Sequence, residues 1–351
     1  MPASLKVIPR EIKVEITERC NGKCSFCHNQ YHAKRVPQTM SVSMFEKWAN
    51  WASKNGFTAI RLTGGEPVLY PHLLEICKIA RGLFADVRIN TSGFYQTHLL
   101  DAVLAYLDMA LISLPLPETT SCDAITGVKS SLKKKLNAAK HFHSSGVSVS
   151  FLSVLTPASI GKMRKYLDIC QKFSGAEWIP LRMESSRVDR RPISSADMQR
   201  MAEELDSIQR ENNSTVVLGL AVPFCAVSPV ELGSRVFSGR ANDCGPFQSL
   251  TVTPTGELIS CYSCRAPVRN MSTLEHVLSD AVIVKKMADT QLPSVCRTCG
   301  YYRNCAGGCR SPWALKKYED GVLDYLANPS RIRNALLEVC AVNSCGRGGA
   351  R

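Results

Sequence analysis

A chain of 351 residues with 45% hydrophobic and 21% charged composition is long enough for an α/β barrel-type domain plus a smaller appendage, and is ordinary for a soluble globular protein. The first ten residues carry only scattered apolar side chains and no apolar run is long enough to span a bilayer, which excludes a signal-peptide core and a membrane helix and places the protein in the cytoplasm. Sixteen cysteines in such a chain point to metal ligation rather than disulfides; the net charge of +13 favours an anionic substrate or partner, and its one compact run, Lys133 to Lys135, reads as a solvated helix face.

From about residue 11 short apolar runs alternate with amphipathic stretches, the signature of repeated β-α units around a parallel sheet. Strands are predicted over 11–17, 58–62, 86–90, 109–114, 147–154 and 177–183, with helices over 41–54, 72–81, 96–106, 131–144, 160–172 and 194–212. Gly56, Gly82 and Gly146 fall between a helix and the next strand, where a left-handed ending residue is wanted. The expected fold is an open (β/α)6 TIM-like partial barrel spanning residues 10–215, with chemistry at the C-terminal ends of its strands. A linker over 216–243 carries Cys225, and a cysteine-rich region over 244–351 follows, with a hairpin from 249–253 and 257–260 turning at Pro254-Thr255-Gly256, then short helices.

Directly after the first strand comes Cys20-Asn-Gly-Lys-Cys24-Ser-Phe-Cys27. Three thiolates this close can hold three irons of a cubane and leave the fourth iron open to an external ligand. The alternative is a zinc site, to which His28 could add a fourth ligand. At the end of the second strand stands Thr63-Gly64-Gly65-Glu66-Pro67, in which glycines permit close backbone approach, a carboxylate can accept from an ammonium group and a proline fixes the turn.

CxxxCxxC after strand one paired with GGEP after strand two resembles the radical S-adenosylmethionine (SAM) superfamily. The resemblance implies a [4Fe–4S] cluster on Cys20, Cys24 and Cys27 whose open iron is chelated by SAM. It also implies contacts to SAM from Gly64, Gly65, Glu66 and Pro67, from Phe26 against the adenine, and from Asn90 and Ser113 at the ends of strands three and four.

The C-terminal spacing is a second constellation. Cys244 is followed by eleven residues, Gly256, four residues and Cys261; later comes Cys296-x2-Cys299-x5-Cys305-x3-Cys309. This resembles the SPASM extension of radical SAM enzymes, which binds two auxiliary [4Fe–4S] clusters. The resemblance implies Cys244, Cys261 and Cys309, joined by Cys225, at one cluster, and Cys296, Cys299 and Cys305, with Cys340 or Cys345, at the other; Cys264 is left without a role. A zinc-ribbon reading of Cys296, Cys299, Cys305 and Cys309 leaves the hairpin cysteines unused. Cys77, Cys122 and Cys170 stand alone and read as core positions.

The function so implied is an oxidoreductase or maturase that reductively cleaves SAM to a 5′-deoxyadenosyl radical, abstracts a hydrogen atom from its substrate and passes an electron to the auxiliary clusters. A one-electron donor such as flavodoxin or ferredoxin is implied as partner. The expected substrate is a peptide or protein undergoing cross-linking, maturation or side-chain oxidation. The alternative is a small anionic metabolite, a sugar acid, nucleoside or tetrapyrrole, undergoing decarboxylation or dehydrogenation. The GTP-cyclising enzymes of molybdenum-cofactor synthesis share the Cys27-His28-Asn29 and Ile60-to-Pro67 pattern, but their next cysteine would fall at Leu278. A zinc-dependent nucleic-acid binder ranks last, and neither nucleic acid nor membrane is an expected partner.

Overall fold

Ile12, Val14 and Ile16 alternate on one face of the first strand and are almost wholly buried, while Lys13, Glu15 and Thr17 take the other face. That strand, β1 (Glu11–Thr17), pairs with β2 (Ala59–Gly64), which leads in order to β3 (Asp86–Thr91), β4 (Met109–Ser113), β5 (Ser148–Leu155) and β6 (Trp178–Arg182), every pair parallel. Strands ordered as in the sequence, with helical crossovers between them, make the (β/α) barrel-like core that the alternation predicts. The computed structural model describes residues 11–27, 36–182, 193–212, 222–237 and 250–259, and beyond these 265, 267–268, 276–277, 293–305, 308–309, 315–318, 321–324, 326–328 and 330–331.

The helices form where sequence periodicity and caps agree. In α1 (Val42–Lys54) Phe45, Trp48, Ala49 and Ala52 recur at helical spacing toward the core, and the Ser41 hydroxyl accepts from the Met44 N–H at 3.2 Å to close the first turn. The others are α2 (Leu73–Leu83), α3 (Thr119–Thr126), α4 (Ser131–Ser144), α5 (Met163–Cys170), α6 (Ser195–Asn212), α7 (Val230–Phe237), α8 (Ser294–Arg297) and α9 (Tyr302–Cys305).

Three local expectations need correction. The helix expected over 96–106 is instead two 3-10 turns, Thr97–Leu100 and Leu104–Tyr106. Thr97, His98, Asp101 and Val103 are weak helix formers, no side chain caps the first turn, and the short turns already seat Leu100 and Val103 in the core. α3 was not expected, since its eight residues are too few to show a period. Gly56 and Gly146 have φ of +83° and +81°, but Gly82 lies inside α2, which ends at Phe84 without a left-handed residue.

The predicted hairpin, β7 (Thr251–Val252) and β8 (Leu258–Ile259), adds to the barrel sheet beside β1, with β7 parallel to β1 and antiparallel to β8. Among the described residues the sheet is therefore mixed and eight-stranded. A separate pair, β9 (Leu315–Tyr318) and β10 (Gly321–Asp324), is antiparallel. No helix among the described residues is long and apolar enough to cross a membrane.

A further link ties the region after the barrel to β1. Glu15 is fully buried, and both its carboxylate oxygens accept from the Arg265 guanidinium, at 2.9 and 3.1 Å. This fork fits a carboxylate geometrically, and removing one partner strands the other charge. Arg265→Met is expected to destabilise the protein by about 3–5 kcal/mol in urea unfolding, and the double variant with Glu15→Gln to recover part of that loss.

Candidate iron–sulfur and cofactor site

The loop carrying Cys20, Cys24 and Cys27 leaves the C-terminal end of β1 and is held by α3. The Lys23 and Ser25 N–H groups donate to the Thr126 and Ile125 carbonyls, each at 2.9 Å, and the Ser25 hydroxyl adds a bond to Ile125 at 3.2 Å. These carbonyls are the last of a helix and lack intrahelical partners, so the loop satisfies them while taking its shape from them. The Asn21 amide donates to the Phe94 carbonyl, and the Cys27 N–H to the Cys24 carbonyl at 3.1 Å.

The Gly-Gly turn after β2 lies against the start of that loop. The Gly65 N–H donates to the Thr17 carbonyl at 2.7 Å and the Glu66 N–H to the Arg19 carbonyl at 2.8 Å. A Cβ on Gly64 would stand 2.3 Å from the Thr17 oxygen, and one on Gly65 2.2 Å from the Arg19 oxygen, so backbone contact itself requires glycine at both positions.

Glu66 is wholly buried and its carboxylate is saturated by its own chain. One oxygen accepts from the Thr91 hydroxyl at 2.8 Å and the Val68 N–H at 3.3 Å; the other accepts from the Ser92 N–H at 2.7 Å and the Ser92 hydroxyl. A carboxylate has about four such acceptor sites, so this side chain is a strut between the turns after β2 and β3. Burial raises its pKa above the usual carboxylate range, while the Ser92, Thr91 and Val68 donors pull it back. Pro67 starts the 3-10 turn that this carboxylate caps.

Sequence reading missed Lys135. Lys133 and Lys134 are exposed, but Lys135 is 1% exposed, on the α4 stripe of Ser131, Ala138, Ala139 and Phe142. A run of like charges does not share one helix face, because each residue turns by about 100°. The Lys135 ammonium donates to the Ser92 carbonyl at 3.0 Å and stands 4.1 Å from the Phe94 ring centroid. Burial lowers its affinity for a proton, and Cys122, Cys24, Glu66 and Cys20 oppose that. The signal that could have found it is its place three and four residues before Ala138 and Ala139.

The surroundings of Cys20 and Cys24 disfavour the free thiolate. Burial pushes Cys20 up to about 11 and Cys24 to about 12, with Lys135 lowering both. A metal bound by them would displace these protons. No disulfide joins the described cysteines. Among the described residues no three His, Cys, Asp or Glu side chains converge closely enough for a single ion; ligands of a cubane stand wider apart, each on its own iron.

The remaining expected residues are distributed as follows. Asn90 ends β3 beside the turn, its amide donating to the Thr63 hydroxyl at 3.4 Å; its buried Oδ1 has no partner among the described residues. A buried acceptor left this way fits a ligand that donates. Ser113 ends β4, and Phe26 packs on the apolar group of Leu116, Cys122 and Ile125. Cys77, Cys122 and Cys170 are buried, as expected.

Cys225, Cys296, Cys299 and Cys305 line one apolar recess, and Cys309 is buried at 2% exposure. The resemblance implied Cys225 beside Cys309; the structure brings it to the other three. Cys244, Cys261, Cys264, Cys340, Cys345 and His28 lie outside the described residues.

The Cys20–Cys27 loop and the Gly64-Gly65-Glu66 turn gather at the C-terminal edge of the parallel sheet of a (β/α) barrel-like core. Residues 14–168 match the model of the Radical SAM superfamily. Among similar proteins, the "Probable GTP 3',8-cyclase" of Methanococcus maripaludis strain C5 is 27% identical over 184 residues, 50% of this chain and 61% of that relative. The chain thus spans less than two thirds of the first relatives it matches. The PqqA peptide cyclase of Gluconobacter oxydans is 22% identical over 318 residues, 86% of each chain. In fold, Streptococcus suis SuiB matches with a TM-score of 0.69 at 16% identity, over 92% of this chain and 77% of that one. Native anSMEcpe with bound AdoMet matches with a TM-score of 0.68 at 16% identity, over 96% and 100%.

Glu66→Gln places an amide N–H against groups that themselves donate. It should cost about 2 kcal/mol in thermal or urea unfolding and lower the iron retained after anaerobic reconstitution.

Proposed function

We propose that this chain is a radical SAM maturase acting on a peptide or protein. The observation that carries the chemistry is the joint between the Cys20–Cys27 loop and the Gly64-Gly65-Glu66 turn, closed by backbone bonds and by a carboxylate already spent on the protein. Cys20, Cys24 and Cys27 would hold the [4Fe–4S] cluster, and SAM would lie across the turn with Asn90 Oδ1 as a waiting acceptor. With Glu66 saturated, a SAM ammonium group would meet the carbonyls of this turn rather than the carboxylate. Phe26 and Ser113 flank the same edge.

Held there by Cys20, Cys24 and Cys27, the cluster with SAM would supply one-electron reductive cleavage and hydrogen-atom abstraction. The chain's own residues would orient the cofactor and keep water from the cluster, and Lys135 places a cation near Cys20 and Cys24. An added electron is stabilised by such a cation in a medium of low polarity. The reducing partner would be a flavodoxin or ferredoxin.

The peptide reading is supported by how far similarity runs. The relative named as a peptide cyclase aligns over 86% of this chain, against 50% for the GTP cyclases. SuiB and anSMEcpe, of like fold, have been captured with peptides. The region over 244–351 would be a SPASM domain with two auxiliary clusters, reached from the barrel over 10–215 through the linker 216–243. A small anionic substrate is the second reading, resting on the net charge of +13.

Cys24→Ala is expected to lower release of 5′-deoxyadenosine from SAM under dithionite by at least about 100-fold; undiminished release from the reconstituted variant overturns the proposal. Lys135→Met is expected to retain its iron but shift the SAM cluster's midpoint potential negative by about 50 mV or more, read by an EPR-monitored redox titration.

A further inference from the structure

Phe224–Ala226 form a 3-10 turn just before α7, and neighbours hold it from several sides. A Cβ on Gly233 of α7 would lie 2.2 Å from the Phe224 carbonyl oxygen, so the helix and the turn touch through backbone. Arg331 donates to the Cys225 and Ala226 carbonyls at 3.4 and 2.5 Å. The Phe224 ring meets Tyr301 edge-on at 6.2 Å, and the Tyr301 hydroxyl donates to Glu231 of α7 at 2.8 Å. The turn therefore has one seat, and that seat faces the cysteines of α8 and α9.

There the Phe224 N–H donates to Cys305 Sγ at 3.3 Å, across 81 residues of chain. Cys225 is 5% exposed and lines the same apolar recess as Cys296, Cys299 and Cys305. Four thiols around an apolar space, with a backbone N–H aimed at one sulfur, have the donor set of a fully protein-ligated cubane and the kind of outer hydrogen bond that tunes one.

We infer that Cys225 is the fourth ligand of the cluster held by Cys296, Cys299 and Cys305, rather than a ligand of the cluster that includes Cys309. The inference rests on the reading that the C-terminal cysteines bind iron–sulfur clusters. It makes this cluster coordinatively closed, with no open iron for substrate, and leaves Cys340 and Cys345 unneeded there.

The test uses the full chain, reconstituted anaerobically, with iron, sulfide and zinc counted per chain and the reduced clusters followed by EPR. Cys225→Ala and Cys296→Ala should each remove the same signal and about four irons, and the double variant should lose no more than either single one. Cys225→Ser, which keeps the volume, should retain the circular dichroism of the parent and still change that one signal. A double variant that loses about eight irons where each single one loses about four, or a Cys225→Ser protein with the parent's iron and spectrum, overturns the inference. A wild-type chain that takes up zinc, or no more than about four irons, fails differently: it defeats the auxiliary-cluster reading before any variant is compared.

Discussion

A buried carboxylate cannot stay charged in an apolar interior unless donors surround it, and Glu66 meets that constraint with groups from two strand ends. Its bonds fix the Thr91-Ser92 corner after β3 relative to the turn after β2. From that corner the order propagates outward: the Ser92 carbonyl receives Lys135, the Lys135 ammonium lies over Phe94, and the Phe94 carbonyl receives Asn21 of the cysteine loop. On its other side the same turn is stitched to Thr17 and Arg19, where that loop begins. The start of the cysteine loop is thus held from two sides by groups whose places trace back to one side chain, and α3 holds the rest of it.

The electrostatics follow from this packing. Burial makes Cys20 and Cys24 reluctant to ionise, and the same burial makes Lys135 reluctant to keep its proton. Each is the other's compensation: a cluster bound by these thiolates beside Lys135 would neutralise two costs at once. α3 contributes from outside the sheet, since Asp123 accepts from the Ser130 and Ser131 N–H groups, both at 2.7 Å, and so locks α3 to the start of the helix that carries Lys135.

The second group of cysteines is organised by another principle. α8 and α9 are a single turn each and bring three thiols close by local spacing alone. What they meet is a turn 81 residues earlier, fixed by its contacts with α7, Arg331 and Tyr301. Order along the chain therefore does not decide which cysteines share a site.

The barrel order, most helix bounds and the hairpin were legible from sequence, because each rests on local periodicity or turn chemistry. In the exceptions the local signal was too short or pointed the wrong way. α3 is too short to show a period, and the segment over 96–106 is apolar at helical spacing yet too poor in helix formers to close a full α-helix. Lys135 sits in a run that reads as surface, and only the packing of α4 against Gly93, whose Cβ would be 3.0 Å from the Lys135 backbone, turns it inward. Glu66 was legible as a site residue but not as a strut, since its donors come from another strand. The sequence by itself determined where the cysteine loop and the Gly-Gly turn fall relative to the strands, because each is a contiguous segment. Only the tertiary structure decided which residues meet, because Glu66 with Ser92, Lys135 with the cysteine loop, and Cys225 with Cys305 are joined by strand order and helix docking, not by spacing.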